Sequence, residues 1–163
     1  MGFAFEQKMD GDILLIKISG ELDDEAKLPT IASGTFKSIN IQMGDASYLN
    51  SSGVRSWMSW MAAVEGLRVP IRLFGVRPAF VRAWGSIRDF FPRSILIQSF
   101  FVPYFCDGCK TNFQILIKKE EGDAGTRGDG FPDLSTCPKC NKNAEIDGLV
   151  ENYAMVNSNL RQS

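Results

Sequence analysis

The four cysteines of the chain form two pairs with the same spacing, Cys106-Asp107-Gly108-Cys109 and Cys137-Pro138-Lys139-Cys140. A CxxC turn presents two thiolates to one ion, and two such turns supply the four soft ligands of a tetrahedral zinc site. We therefore predict a structural Zn²⁺ ion bound by Cys106, Cys109, Cys137 and Cys140. Because four protein ligands close such a site, it leaves no open position for catalysis.

The segment between the two pairs, residues 110–136, is longer than the roughly 15–20 residues usual for this kind of site. Gly122 to Gly130 (GDAGTRGDG) contains four glycines and is predicted to be a flexible loop that extends a hairpin. Two alternatives stay open, namely structural cysteines without metal and a redox-active CxxC. The presence of two such motifs, without a thioredoxin-like βαβ pattern, argues against redox chemistry.

The composition narrows the classes of function. The chain has 163 residues and no histidine, which excludes Ser-His-Asp triads, Cys-His proteases, HExxH metalloproteases and a phosphohistidine relay. With 18 Lys+Arg against 19 Asp+Glu, its formal net charge of −1 gives no general reason to expect binding to nucleic acid or to an anionic membrane. An enzyme would need a carboxylate, lysine or cysteine base, and the sequence supplies no convincing acid–base pair, so we expect a protein that is not an enzyme.

The sequence also indicates where the protein resides. No apolar run reaches the roughly 18 residues of a membrane span. The N-terminal residues MGFAFEQK lack the charged start and long apolar core of a signal peptide. We therefore expect a cytoplasmic protein with no membrane contact, in a compartment where paired cysteines favour metal over disulfide.

Hydrophobic periodicity predicts the elements that must position these residues. Strands are expected within residues 3–19, 38–43, 69–76 and 94–102, and helices over about 25–33, 54–65 and 78–87. Strand and helix alternate up to Val102, which predicts an α/β fold with a mixed sheet and partly parallel pairing. We place a first domain over residues 1–102 and a small β zinc ribbon over 103–163, with a final strand or short helix after Val150.

At a predicted strand–helix junction, the segment Tyr48-Leu49-Asn50-Ser51-Ser52-Gly53-Val54 follows Asp45. This pattern resembles the signature of STAS domains, the family of the anti-sigma-factor antagonists and of a domain shared with sulphate transporters. Three further segments match the family's pattern in order: ISGELD at 18–23, FGVRP at 74–78 and DFFP at 89–92. The resemblance covers about residues 5–100 and implies a STAS-like sheet with helices.

The resemblance also implies a function and a site. In phosphorylated antagonists an Asp-Ser-(Ser/Gly)-Gly stretch carries the serine that a partner kinase phosphorylates; here Asn50 replaces the aspartate and Ser51 takes the place of that serine. Ser52 and Gly53 complete the motif. The implied protein is a bacterial regulator or scaffold that acts by protein–protein interaction, with a serine kinase or anti-sigma-type regulator as partner.

Three interpretations of Ser51 stay open. Ser51 or Ser52 could cap the helix, Ser51 could be a phosphorylation switch, or the segment could be a docking surface that carries no phosphate. A helix N-terminus tolerates a phosphate, whose added charge would then act on whatever protein docks over the junction.

Other residues were candidates for contact with a partner. Helical spacing places Val54, Met58 and Met61 on the core face of the 54–65 helix and Trp60 on the opposite side. Trp60 is therefore predicted to lie free of the α/β core, either as an exposed docking anchor or packed against a neighbouring element such as the ribbon. The cluster Arg77, Arg82 and Arg88 is interpreted as solvated surface or as a contact for an acidic partner. The alternative function, a zinc ribbon that binds nucleic acid, is disfavoured by the acidic balance of residues 100–163.

Overall fold

Two β-sheets and three helices make up the described part of the chain, which in this computed structural model comprises residues 2–119 and 134–162. The large sheet contains β1 (Ala4–Asp10), β2 (Ile13–Leu22), β3 (Ser38–Gln42), β4 (Ala46–Leu49), β5 (Ile71–Phe74) and β6 (Ile95–Ile97). Its order is β1-β2-β3-β5-β6, and β4 pairs with the end of β2. Only the β1–β2 hairpin is antiparallel among these strand pairs. The predicted mixed α/β architecture is confirmed.

The helices are α1 (Ser51–Glu65), α2 (Pro78–Ser86) and α3 (Val150–Gln162). The alternating residues Leu14, Ile16 and Ile18 of β2 are buried, whereas Leu15 is half-buried and Lys17 exposed. The same alternation continues across β3 and β5, so one face of the large sheet holds the core and the other is more open. The core also contains the aromatic residues Trp57, Phe80, Phe90 and Phe91, which are all buried.

The small sheet contains β7 (Ser99–Cys106), β8 (Thr111–Lys118), β9 (Leu134–Thr136) and β10 (Asn143–Ile146), in the order β8-β7-β10-β9. All its pairings are antiparallel. The single predicted strand over 94–102 is instead two strands, with Gln98 between β6 and β7. Because β6 pairs in the large sheet and β7 in the small one, this short run of chain joins the two sheets.

The domain boundary predicted after Val102 falls within β7. The last helix, α3, was expected to belong to the ribbon, but it packs mainly outside the small sheet. Helix α3 packs against α2 and β6. The Asn159 side-chain oxygen accepts a hydrogen bond from the Ile97 backbone N–H at 3.0 Å. The small sheet is therefore inserted between β6 and the helix that completes the core of the large sheet.

The predicted helix over 25–33 is not formed. Residues 23–37 form an irregular segment, which begins with a turn in which the Asp23 carboxylate accepts hydrogen bonds from the backbone N–H groups of Glu25 and Ala26. Pro29, which lacks an N–H group, is buried against the core. The segment covers part of α1, and this determines the environment of Trp60. The predicted Gly-rich loop over 122–130 lies outside the described residues.

Candidate metal centre and the start of helix α1

The two CxxC turns lie at the same end of the small sheet. The first closes the β7–β8 hairpin, in which Cys106 pairs with Thr111, and the second joins β9 to β10. Since β10 runs antiparallel to β7, with Glu145 opposite Phe105, both turns project from one end. The four Sγ atoms all lie within 4.8 Å of one another. The predicted cluster of cysteines is confirmed, and the four thiols could hold one metal ion.

The two turns share one backbone feature. The residue after the second cysteine of each pair, Lys110 in one and Asn141 in the other, has a positive φ, of 54° and 57°. In the second turn the Lys139 backbone N–H points at Cys137 Sγ, 3.4 Å away. Each turn thus bends its two cysteines towards a common point. The Sγ atoms of Cys106 and Cys140 lie 3.4 Å apart.

Two lysine side chains, those of Lys110 and Lys142, lie at the first CxxC turn. Lys110 forms an ion pair with Asp107 and lies over the ring of Phe105. The side chain of Lys142 crosses the first turn, since a Cβ on Gly108 would come within 2.7 Å of its Cδ. Glycine at position 108 therefore leaves room for a cation beside the thiolates. These lysines would offset part of the negative charge of a four-thiolate centre.

The pKa values of Cys109 and Cys140 are shifted in opposite directions. The Thr111 hydroxyl, 3.3 Å from Cys109 Sγ, and hydrogen bonds from the other cysteines lower the pKa of Cys109 to about 6. A backbone hydrogen bond from Lys142 lowers the pKa of Cys140, but its hydrogen bond with Cys106 and its burial outweigh this and raise the pKa to about 11. The Cys109 thiol therefore ionises more readily than the Cys140 thiol. Thr111 is a contributor that the cysteine spacing alone does not reveal.

The start of α1 is fixed by Asn50. The side-chain oxygen of Asn50 accepts a hydrogen bond from the Gly53 backbone N–H at 2.8 Å, which makes Asn50 the N-cap of the helix. The Asn50 backbone N–H donates to the Leu22 carbonyl at 3.2 Å and so anchors the cap on β2. The interpretation in which Ser51 or Ser52 caps the helix is wrong, because α1 begins at Ser51 and Asn50 takes that role.

Ser51 and its neighbours form an exposed surface. Ser51 is exposed, and its hydroxyl has no hydrogen-bond partner within the described part of the chain. The Ser52 hydroxyl accepts a hydrogen bond from the Arg55 guanidinium at 3.0 Å. Tyr48, at the end of β4, is 50% exposed. We call Tyr48, Ser51, Ser52 and Arg55 the α1-start surface.

Trp60 does not belong to that surface. The prediction that it lies free of the core as an exposed docking anchor is wrong, because Trp60 is only 8% exposed. The alternative, packing against a neighbouring element, is correct, but that element is the 23–37 segment rather than the small sheet: the Trp60 indole N–H donates to the Pro29 carbonyl at 2.7 Å. Its ring packs against Trp57, with centroids 5.4 Å apart. The buried face of α1 is centred on these two tryptophans rather than on Val54 and Met58, since the 23–37 segment covers the side of the helix that carries Trp60.

Of the predicted arginine cluster, Arg77 connects the two sheets. Its guanidinium donates to the Gly44 carbonyl at 2.6 Å, to Asp45 at 3.0 Å and to Gln114 of β8 at 3.2 Å. It also lies 4.1 Å from the centre of the Phe101 ring. Arg77 is therefore a structural link rather than a solvated charge, a role that its position before the helix-opening Pro78 does not indicate.

Comparison with protein-family models and with curated proteins gives no match for this chain. Among the described residues, no helix combines the length and apolarity needed to cross a membrane. What the chain does is therefore inferred from the four cysteines and from the start of α1.

Proposed function

We propose that the chain is a non-enzymatic bacterial regulatory or scaffold protein, related to STAS domains, that binds a partner protein through its α1-start surface. Two features support this. The sequence motif attributed to the family coincides with the end of β4 and the start of α1, and two of the other motifs lie at the ends of β2 and β5, which belong to the same large sheet and are separated in it by β3. The exposed Ser51 beside a half-exposed Tyr48 is the single observation that carries the proposal.

Phosphorylation of Ser51 by a partner serine kinase is the proposed switch. Because Asn50 caps the helix, the Ser51 hydroxyl is left free for modification. The first turn of α1 contains no acidic residue, and Arg55 lies one turn further on. A phosphate on Ser51 would therefore meet the positive end of the helix dipole and a cation, and its charge would disturb the docked partner more than the fold.

Ser51→Asp tests this switch. With a partner captured by pull-down from native lysate and identified by mass spectrometry, we expect Ser51→Asp to weaken binding by about tenfold or more in calorimetric titration. Ser51→Ala should bind within about twofold of wild type, because it removes only a free hydroxyl. Ser59→Asp, at an exposed position further along α1, is the matched control and should also bind normally. Equal affinities for all three variants would remove Ser51 from the interface.

For the four cysteines we propose a structural zinc ion. A tetrahedral Zn²⁺ with Zn–S bonds of about 2.3 Å holds its sulfur atoms about 3.8 Å apart. The Cys106–Cys140 and Cys109–Cys137 Sγ distances of 3.4 and 3.6 Å are close to that edge length. An all-thiolate set also selects Zn²⁺ over the oxygen-preferring Mg²⁺ and Ca²⁺. Four protein ligands make the site structural.

Metal analysis tests the zinc assignment. Protein purified under reducing conditions should contain about one zinc per chain, and Cys106→Ser should lower this content and destabilise the small sheet. Thr111→Val, which keeps all four ligands, should retain the metal. Fully reduced wild-type protein without zinc, or with stoichiometric iron in its place, would refute the assignment.

The alternative, a ribbon that binds nucleic acid, gains no support from the small sheet. A groove on this sheet is lined by the carboxylates of Asp107, Glu145 and Asp147. Carboxylates at this position would repel a phosphate backbone rather than attract it. A protein partner remains the better proposal.

A further inference from the structure

The first strand of the large sheet has an open edge. β1 pairs with β2 on one side, and no strand within the described residues pairs with its other side. All seven residues of β1 are exposed, and Phe5 and Met9 remain 43% and 49% exposed although both are large and apolar. Such an edge presents unpaired backbone N–H and C=O groups, which favour pairing with another strand.

The register of the β1–β2 hairpin determines which backbone groups face outward. Asp10 pairs with Ile13 across a two-residue loop, in which Gly11 has a φ of 58°. The residues that flank such a loop form a hydrogen-bonded pair, and the pairs then alternate along the hairpin. The backbone groups of Phe5, Gln7 and Met9 therefore point away from β2, towards the open edge.

The sequence of β1 is complementary to itself in the antiparallel direction. If Gln7 of one copy lies opposite Gln7 of another, Phe5 lies opposite Met9, and Glu6 lies opposite Lys8. The outward-facing backbone groups of Phe5, Gln7 and Met9 then meet one another, as an antiparallel ladder requires. Glu6 and Lys8 occupy the non-hydrogen-bonded positions, where facing side chains come closest, so two opposite-charge pairs form.

Neighbouring registers are less favourable. A shift of two residues in one direction places Glu6 opposite Glu6 of the second copy. A shift of two residues in the other direction places Lys8 opposite Lys8, and Glu6 opposite Asp10. Like charges directly opposite each other destabilise a strand pair. Centring the pair on Gln7 also aligns the whole length of β1.

We propose that β1 is a dimerisation strand, which pairs antiparallel with β1 of a second copy about a two-fold axis at Gln7. The two large sheets then form one continuous sheet. Phe5 and Met9 lie on the face that carries Ile18 and Leu14, their partners in β2. The pairing of Phe5 with Met9 of the second copy therefore extends the two cores towards each other and covers the exposed apolar surface of both.

Charge reversal tests the proposed register. Sedimentation velocity from about 10 µM to about 1 mM, without an N-terminal tag, should show a concentration-dependent dimer for the wild type. Glu6→Lys and Lys8→Glu each replace two opposite-charge pairs by two like-charge pairs and should weaken the dimer by about tenfold or more. An equimolar mixture of the two variants should associate again, because every facing pair is then Lys–Glu. The double variant should also dimerise.

Lys118→Glu is the matched control, since it reverses an exposed charge on β8, the edge strand of the small sheet. It should dimerise like the wild type. Thermal melts must accompany the Glu6→Lys measurement, because that substitution also places a lysine opposite Lys17 within the hairpin. Monomeric wild-type protein over the whole range, a dimer insensitive to Lys8→Glu, a mixture that does not associate, or an equal effect of Lys118→Glu would each overturn the proposal.

Discussion

Replacement of Gly53 by alanine tests whether the glycine of the Ser-Ser-Gly motif is required for packing. A Cβ on Gly53 would lie 2.5 Å from the carbonyl carbon of Leu22 and closer still to its oxygen. This backbone cannot move away easily, because Leu22 pairs with Leu49 and its carbonyl accepts the hydrogen bond from Asn50. Overpacking of this kind costs about 3 kcal/mol, and the better helix propensity of alanine returns about 1 kcal/mol. We expect a net loss of about 2 kcal/mol in the free energy of unfolding.

Urea denaturation followed by circular dichroism measures this loss as a lower midpoint at constant slope. Gly66→Ala is the control, since Gly66 follows α1 with a φ of −59° and a Cβ there would have only a 3.2 Å contact with the Ala63 carbonyl oxygen. Its stability should stay within about 0.5 kcal/mol of wild type. If Gly53→Ala is as stable as the wild type, α1 does not pack closely against β2 at this position, and the glycine is not required for packing.

Three further measurements address the packing of the core. Trp60→Ala should destabilise the protein by about 3–5 kcal/mol in urea denaturation, because it removes a buried indole that donates to Pro29. A change below 1 kcal/mol would contradict its burial. Asn159→Ala should cost about 1–3 kcal/mol, since it removes the hydrogen bond that Asn159 accepts from the Ile97 N–H; an unchanged melting temperature would place α3 elsewhere. Burial raises the pKa of Tyr153 to about 12. The contribution of Tyr153 to the free energy of unfolding is therefore intact below pH 10, and it falls as the pH rises towards 12, because the tyrosine ionises first in the unfolded chain. Stability measured against pH should therefore fall faster for wild type than for Tyr153→Phe in that range, and parallel curves would show that Tyr153 ionises normally.

Local patterns predicted the parts of the fold that depend on neighbouring residues in the chain. The alternation of β2 and β3 follows from one buried face, and the cysteine cluster follows from two turns of identical spacing. Asn50, in contrast, was assigned only through the family motif, although it is a strong N-cap residue directly before the serines. Its capping role could have been predicted from residue type alone.

The errors arose where distant segments determine burial. Helical spacing cannot place Trp60, because its cover is the irregular 23–37 segment, which has no periodicity of its own. The apolar run over 94–102 shows no interruption stronger than Gln98 and Ser99, and both sheets need a strand from it. Which helix completes the core is also a tertiary property, and α3 is separated from β6 by the whole small sheet.

The insertion of the small sheet separates, along the chain, two parts of the core that pack together in the folded protein. Asp147 donates its backbone N–H to the Pro103 carbonyl at 2.9 Å, so the chain leaves and re-enters the core at adjacent points. During synthesis, β6 is made before the small sheet and α3 after it, and the buried side chains of Tyr153 and Val156 arrive last. A metal ion that joins Cys106 to Cys140 would bring β6 and α3 closer together. It would remove most of the entropy cost of closing the chain between these two elements. Metal supply would then control how fast a newly made chain reaches its native state, with the metal-free chain exposing an incomplete core for longer.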